Sequence, residues 1–232
     1  MTAPVANNPQ GVAGATGTPI TLSYAVSAGA DEILVDFVGT TNGSSTARTV
    51  TGVTFNGDAL TNVAGATGTA SSGTTRVHGS TWYRLAPAVT TANIVHTLSG
   101  APQEANLVAC YLTGAAQQAP AASAAATDAS SPVRTTLTTV ANDALHLGGF
   151  SSQSDGVTYT AEAGTTELVR KIGTIANGVV FGDRTQATPV SSTLGWTVSG
   201  LTTSEACSCS WAPTAVAVSA VLARRRSSLI CR

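Results

Sequence analysis

The stretch SYAVSAGADEILVDFVG, residues 23–39, decides the fold class. Its first residues alternate apolar and small polar side chains as far as Ser27, which is typical of a half-buried β-strand. A turn follows, in which Gly29 is free to adopt positive φ and Asp31 can hydrogen-bond nearby backbone. The stretch therefore predicts two β-strands joined by a tight connection.

The second of these strands, residues 33–38, is apolar on both faces except at Asp36. A strand of this kind is usually covered on both sides, by a second sheet, a long loop or another subunit. A buried carboxylate needs a partner. We therefore expect Asp36 to pair with an arginine, either in a gap of a sandwich or across a subunit contact.

Charged residues are scarce in this chain. They make up 10% of the 232 residues, against 43% hydrophobic residues, and Lys171 is the only lysine. A surface with so few charges is best tolerated when an assembly covers much of it. The net charge of -1 gives no global attraction to nucleic acid or to an anionic membrane.

No segment has the length and apolarity of a transmembrane helix, and the amino terminus has neither the basic start nor the apolar core of a secretory signal. We predict synthesis in a reducing cytoplasm with free thiols, because four cysteines are too few for a disulfide scaffold of this size. The cysteines are Cys110, Cys207, Cys209 and Cys231.

The strand pattern restarts in the second half of the chain. Asp143 follows Asp31 by about 112 positions and precedes a similar apolar run, and the segment TLSG at 97–100 has a counterpart, TVSG, at 197–200. Each half has roughly six predicted strands and cannot bury its apolar face alone. We therefore predict an all-β protein, a jelly-roll-like β-sandwich of two antiparallel sheets in which two duplicated halves interleave.

The domain organisation follows from this pattern. We predict an extended amino-terminal arm, one sandwich made of two pseudo-repeats with a linker between them, and a basic carboxy-terminal tail. The corresponding ranges are 1–18 for the arm, 19–223 for the sandwich, 19–114 and 132–223 for the repeats, 115–131 for the linker and 224–232 for the tail.

No catalytic motif stands out. His78, His96 and His146 lie on three different predicted strands, and none has a second ligand at metal-binding spacing. The segment GFSSQ at 149–153 matches only the first half of a nucleophile elbow. The carboxylates around the opening turn do not form a recognisable glycosidase pair or calcium loop. We predict that the protein is not an enzyme and that it has no cofactor.

Two kinds of surface remain as candidates for binding. Trp82, Tyr83, Trp196 and Trp211 could form a sugar-stacking platform, although packing in the core is the favoured interpretation. Contacts with partner proteins are predicted for polar and proline residues of the arm and for the arginines of the tail. These residues are Pro4, Asn7, Asn8, Pro9, Arg224, Arg225 and Arg226.

Three segments carry a resemblance to known proteins: residues 23–39, the hairpin VTFNGDAL at 53–60, and WYRLAPAV at 82–89 with ANIVHTLSG at 92–100. Together they resemble a group of Gly/Ser/Thr-rich β-sandwich proteins that tailed phages, and environmental bacteria with phage-like genes, encode. The resemblance covers mainly residues 20–114 and carries no catalytic signature.

The resemblance implies a structural virion protein, most plausibly a capsid decoration (cement) protein that binds the outer surface of the head and stabilises it. Its implied partners are the major capsid protein and further copies of itself, as a trimer rather than a dimer. The expected location is the virion, after synthesis in the host cytoplasm; membrane and nucleic-acid partners are not expected. An alternative is a carbohydrate- or receptor-binding module of a phage tail, fibre or surface adhesin.

Overall fold

The computed structural model describes residues 2–153, 158–174, 178–201 and 203–213. These residues form seventeen strands and no helix, and all the strand pairs are antiparallel, so the predicted all-β sandwich is confirmed. The strands are β1 (Val5–Ala15), β2 (Ile20–Ala25), β3 (Ile33–Asn42), β4 (Val50–Phe55), β5 (Asp58–Ala59), β6 (Thr61–Ser72), β7 (Thr75–Leu85), β8 (Thr91–Leu98), β9 (Glu104–Thr113), β10 (Ala122–Asp128), β11 (Val133–Thr138), β12 (Ala144–Gln153), β13 (Tyr159–Ala161), β14 (Thr166–Ile172), β15 (Gly178–Gln186), β16 (Ser191–Val198) and β17 (Thr203–Trp211).

The strands form four sheets, where the sequence predicted two. Unit 1, residues 5–113, contains inner sheet 1 in the order β1-β9-β3-β7-β6 and outer sheet 1 in the order β2-β8-β4-β5. Unit 2, residues 122–211, contains inner sheet 2 in the order β10-β17-β12-β15-β14 and outer sheet 2 in the order β11-β16-β13. The halves therefore do not interleave, because each half pairs its own strands into a complete sandwich.

The two units share one strand order. In the inner sheets, β1, β9, β3, β7 and β6 correspond in that order to β10, β17, β12, β15 and β14. In the outer sheets, β2, β8 and β4 correspond to β11, β16 and β13, and β5 has no counterpart. Asp31 and Asp143, which precede the equivalent strands β3 and β12, both adopt left-handed backbone, with φ of 56° and 54°. In the same register, Val35 pairs with Cys110 and Leu147 pairs with Cys209.

The inner sheets pack against each other, so the molecule has four layers. β1 lies next to β14, and β6 lies next to β10. Since β1 is the equivalent of β10 and β6 the equivalent of β14, an approximate two-fold axis relates the units. Near this axis β3 meets β12 so closely that a Cβ at Gly39 would overlap Ser151, and a Cβ at Gly149 would lie 2.8 Å from Phe37.

Strand β3 is covered on both faces, as its sequence predicts. Leu34 and Val38 belong to the core between the sheets of unit 1, whereas Ile33, Val35 and Phe37 belong to the core between the two units. All ten residues of β3 are buried. A third core, built around Trp196, fills unit 2.

Three segments that the sequence predicted to be irregular are strands. Residues 5–15 of the predicted arm are β1, which pairs with β9. Residues 122–128 of the predicted linker are β10, which pairs with β17. Residues 65–74, whose Gly, Ser and Thr content predicts a loop, lie largely in β6. Their many Ala and Gly residues have weak intrinsic strand preference, and pairing at a sheet edge supplies the stabilisation instead.

Candidate functional site

The partner of Asp36 is a histidine, not the arginine expected from the sequence. Nε2 of His96 lies 2.6 Å from Oδ2 of Asp36, and both side chains are fully buried. Asp36 is on β3 in inner sheet 1, and His96 is on β8 in the facing outer sheet 1. The two strands face each other across the core of unit 1, so residues sixty positions apart meet.

This pair is an incomplete polar network. Among the described residues, Oδ1 of Asp36 and Nδ1 of His96 have no hydrogen-bond partner. Removing two charged or polar groups from water is costly unless every remaining polar atom is satisfied. The pair lines neither of the two surface clefts described below. We therefore interpret it as a structural contact within the core, without access for a substrate.

Unit 2 does without this pair. The equivalent of Asp36 is Gly148, and the equivalent of His96 is Trp196. The Trp196 ring packs directly against the backbone of Gly182. A Cβ at position 182 would lie only 2.9 Å from Cζ2 of Trp196, so a larger residue would not fit there. Phe150 packs against the same ring, with 5.2 Å between the centroids. The same fold therefore forms around an aromatic core, and it does not require the Asp36–His96 pair.

The other two histidines are buried and bonded locally. Nδ1 of His78 lies 3.1 Å from Oγ1 of Thr69, and Nδ1 of His146 lies 2.9 Å from Oγ of Ser192. Burial lowers the pKa of His78 to about 4. Burial, assisted by the positive charge of Arg184, lowers the pKa of His146 to about 3. Both rings are therefore neutral in the folded protein at neutral pH.

A metal site is not found in the part of the chain that the structure describes, where no three His, Cys, Asp or Glu side chains converge. Cys110 and Cys209 are buried free thiols, as the sequence predicts, and burial raises the pKa of both. The side chains of Cys207 and Cys231 lie outside the described residues.

The tryptophans are core residues. Trp196 and Trp211 are each 1% exposed and Trp82 is 8% exposed. Tyr83 is half-buried and meets the Trp211 ring edge-on, at 6.2 Å between centroids. A sugar-stacking platform needs an exposed ring face, and the tryptophans present none. The interpretation as core packing is therefore confirmed for the three tryptophans.

The arm residues predicted to bind a partner lie within the fold. Pro4 is buried. The Asn7 amide donates to Oγ1 of Thr113, and the Asn8 amide donates to the carbonyl of Ala25. Pro9 follows Asn8 in β1, at the first of two register shifts in that strand. These side chains connect β1 to its own unit. Arg224, Arg225 and Arg226 lie outside the described residues.

The outer sheets present two opposite faces of the stack. We define face 1 by the exposed residues Thr21, Ser23, Asn93 and Thr97, and face 2 by Thr136, Thr138, Thr160, Ser191 and Thr197. Hydroxyl groups dominate both faces.

Charge is nearly absent from these two faces. On face 2, the hydroxyls of Thr136 and Thr193 lie 2.8 Å apart across neighbouring strands. The Arg134 guanidinium and the Glu162 carboxylate beside them neutralise each other through two hydrogen bonds of 2.5 and 2.6 Å. Each face is therefore a sheet surface dominated by small polar residues. The charged side chain on each outer sheet is paired, Asp58 of β5 with Arg84 and Arg134 of β11 with Glu162.

Two shallow clefts lie on the seam where β6 meets β10. One, of about 250 Å³, is lined by Thr69–Ser71 and Thr127–Ala129. The other, of about 270 Å³, is lined by residues 62–65, Tyr83, Ala119, Pro120 and Ser123. Gly65 and Ser123, which both line the second cleft, lie in close contact. Asp128 is the only charged residue among those that line the two clefts, so neither cleft has paired catalytic groups.

Comparisons of the chain with protein-family models, with curated proteins and with solved structures give no match. The described residues contain no helix that is long and apolar enough to cross a membrane. Neither the comparisons nor the site geometry assign a reaction.

Proposed function

We propose that the protein is a structural virion protein, a capsid decoration protein that binds the outside of the head through the major capsid protein. The observation that carries the proposal is the pair of hydroxyl-rich faces at opposite ends of the four-layer stack, on which the few charged side chains are paired. A decoration protein acts through many copies, so each copy needs only a broad, weakly binding surface, and avidity supplies the rest.

The order of strands supports this proposal at the level of architecture. In unit 1 the order β1-β9-β3-β7 in one sheet and β2-β8-β4-β5 in the other, with β6 added at one edge, supports the jelly-roll-like sandwich predicted from the sequence. Unit 2 repeats it without a counterpart of β5. Jelly rolls occur in viral capsid proteins and in lectins. Fold alone does not fix function, so this point agrees with the proposal without deciding it.

The alternative, a carbohydrate-binding module, loses its strongest candidate site because the three tryptophans are buried. A receptor-binding role on a tail or fibre stays a prediction from the sequence, and no feature of the described residues favours it over decoration.

The proposal is tested by co-sedimentation of the full chain with heads of the phage whose genome encodes it. We expect saturable binding with a fixed ratio to the major capsid protein. Thr97→Glu on face 1 and Thr136→Glu on face 2 each add a charge at an exposed position, and we expect one of them to weaken binding. Gln118→Glu, an exposed charge outside both faces, is the control. Wild-type protein that does not co-sediment would contradict the proposal.

A further inference from the structure

The sheet edges of this protein differ in how they are protected. A terminal strand exposes unpaired N–H and C=O groups that can pair with another chain, and proteins usually block such edges with bulges, prolines, charges, short strands or a covering segment. Each of the four sheets has two terminal strands: β1, β6, β10, β14, β2, β5, β11 and β13.

Three of the inner-sheet edges are interrupted. β1 has two register shifts and contains Pro9, and Asn8 in it has a φ of 48°. β6 has a register shift between Asn62 and Thr67. β14 has a register shift after Glu167, followed by two cationic residues. Bulges twist an edge away from incoming strands and leave its hydrogen-bonding groups out of register.

The outer-sheet edges are short, charged or covered. β5 has two residues and β13 has three. β11 carries Arg134 on its exposed face. β2 lies against β1, and the Asn8 amide donates to the carbonyl of Ala25 at its end. None of these four strands offers a long, open, uncharged edge.

β10 is the exception, although β6 and β11 of the adjacent sheets lie beside it. It runs for seven residues, ASAAATD, and pairs with β17 along its whole length without a register shift. It contains no proline or glycine, and its only charge, Asp128, is at its last position. In the described part of the chain, β17 is the only strand with which β10 pairs. This strand therefore has the features of an edge that accepts another strand.

We propose that β10 is a dimerisation edge, at which β10 of a second copy adds antiparallel to inner sheet 2. The strand is self-complementary. Antiparallel pairing centred on Ala125 sets Ala124 opposite Ala126, Ser123 opposite Thr127 and Ala122 opposite Asp128. The two Asp128 carboxylates then lie at opposite ends, roughly 20 Å apart at about 3.4 Å per residue. Like charges do not meet, and the hydroxyl pairs can hydrogen-bond.

Inner sheet 1 is compatible with a dimer formed through β10. β6, the terminal strand of inner sheet 1, lies beside β10 at the same end of the molecule. Pairing through β10 therefore brings the β6 edges of the two copies together as well. Such an interface is isologous and closes as a dimer, whereas the sequence analysis expected a trimer. The inference does not depend on a role in the virion.

The test uses the full chain and measures its mass by sedimentation velocity over a range of concentrations. We expect a species of twice the 23.1 kDa of one chain. Ala125 is exposed, and Ala125→Lys and Ala125→Glu each set like charges opposite each other at the centre of the interface. We expect each variant alone to be monomeric with an unchanged circular dichroism spectrum, and an equimolar mixture of the two to dimerise again.

Thr97→Lys, an equally exposed strand substitution away from β10, is the matched control and should stay dimeric. A monomeric wild-type chain would overturn the proposal, since β10 would then be left open or be covered by another segment of its own chain. Dimers that persist in both Ala125 variants would overturn it as well, because they would form through a different surface.

Discussion

Asp36 and His96 form a fully buried pair, with 2.6 Å between Oδ2 and Nε2, in only one of two units that share a strand order. Gly148 and Trp196 stand at the equivalent positions of the other unit. Equivalent core positions therefore hold a polar pair in one unit and a glycine with an aromatic residue in the other.

Removing one member of this pair should destabilise the protein strongly. Asp36→Ala leaves His96 buried without its partner, and breaking a buried pair in this way costs about 3–5 kcal/mol. In the double variant Asp36→Leu/His96→Leu no polar group is stranded, so we expect it to be more stable than Asp36→Ala. Urea unfolding of wild type, of the single variants Asp36→Leu and His96→Leu and of the double variant gives the coupling energy. A loss below about 1 kcal/mol in either single variant would show that the pair contributes little.

The free energy of unfolding should fall in mild acid because of His78 and His146. The folded state holds their pKa values at about 4 and about 3, below the ordinary value of 6.5. The unfolded chain therefore binds more protons than the folded one as the pH drops below 6.5, and stability decreases with decreasing pH. At about 1.4 kcal/mol per pH unit, each histidine removes on the order of 3 kcal/mol by pH 4.

The predicted loss of stability in acid is tested by thermal unfolding between pH 7 and pH 4. The proteins compared are wild type, His78→Asn, His146→Asn and the double variant. Asparagine keeps a polar atom near the position of Nδ1 but does not titrate. We expect each variant to lose part of the acid dependence and the double variant to lose most of it. An identical acid dependence in all four proteins would assign the effect to other groups.

Residues 5–15 should be required for stability, although the sequence predicts that residues 1–18 form an extended arm. The Tyr24 hydroxyl donates to the carbonyl of Asn8 at 2.9 Å, and Val12 packs against the core of unit 1. Deleting β1 removes these contacts and uncovers β9. We expect a large fall in the urea midpoint, and a loss of about 1 kcal/mol for Tyr24→Phe alone. A deletion variant that unfolds like wild type would restore the interpretation of a free arm.

The close contact between the units should tolerate no added methyl group. A Cβ at Gly39 would overlap Ser151, so Gly39→Ala forces β3 and β12 apart, and overpacking of this kind costs about 1–3 kcal/mol. Gly52→Ala is the matched control, since no atom lies within 4 Å of its Cβ position. Chemical unfolding of both variants makes the comparison. Equal stability of the two would contradict the packing at the two-fold axis.

Much of the fold follows from sequence patterns that are local. The strand at residues 33–38 and the equivalent turns at Asp31 and Asp143 could be predicted because apolar periodicity and turn chemistry are encoded over a few residues. The assignment of Trp82, Trp196 and Trp211 to the core followed from the scarcity of bulky side chains.

Other features depend on contacts that local patterns do not encode. β1, β6 and β10 consist largely of small residues, so their strand conformation comes from pairing with a neighbour and not from intrinsic preference. The contact between Asp36 and His96 joins strands of facing sheets, and no spacing along the chain signals it. The separation into two sandwiches was missed for the same reason, since either arrangement of the strands buries the same apolar faces.

The copy number of the protein in purified particles tests the proposed function most directly. Quantitative mass spectrometry would compare intact particles with heads that lack tails. A decoration protein should be present in both, at the same constant ratio to the major capsid protein. Recovery only with tails, or only as free protein, would contradict the account.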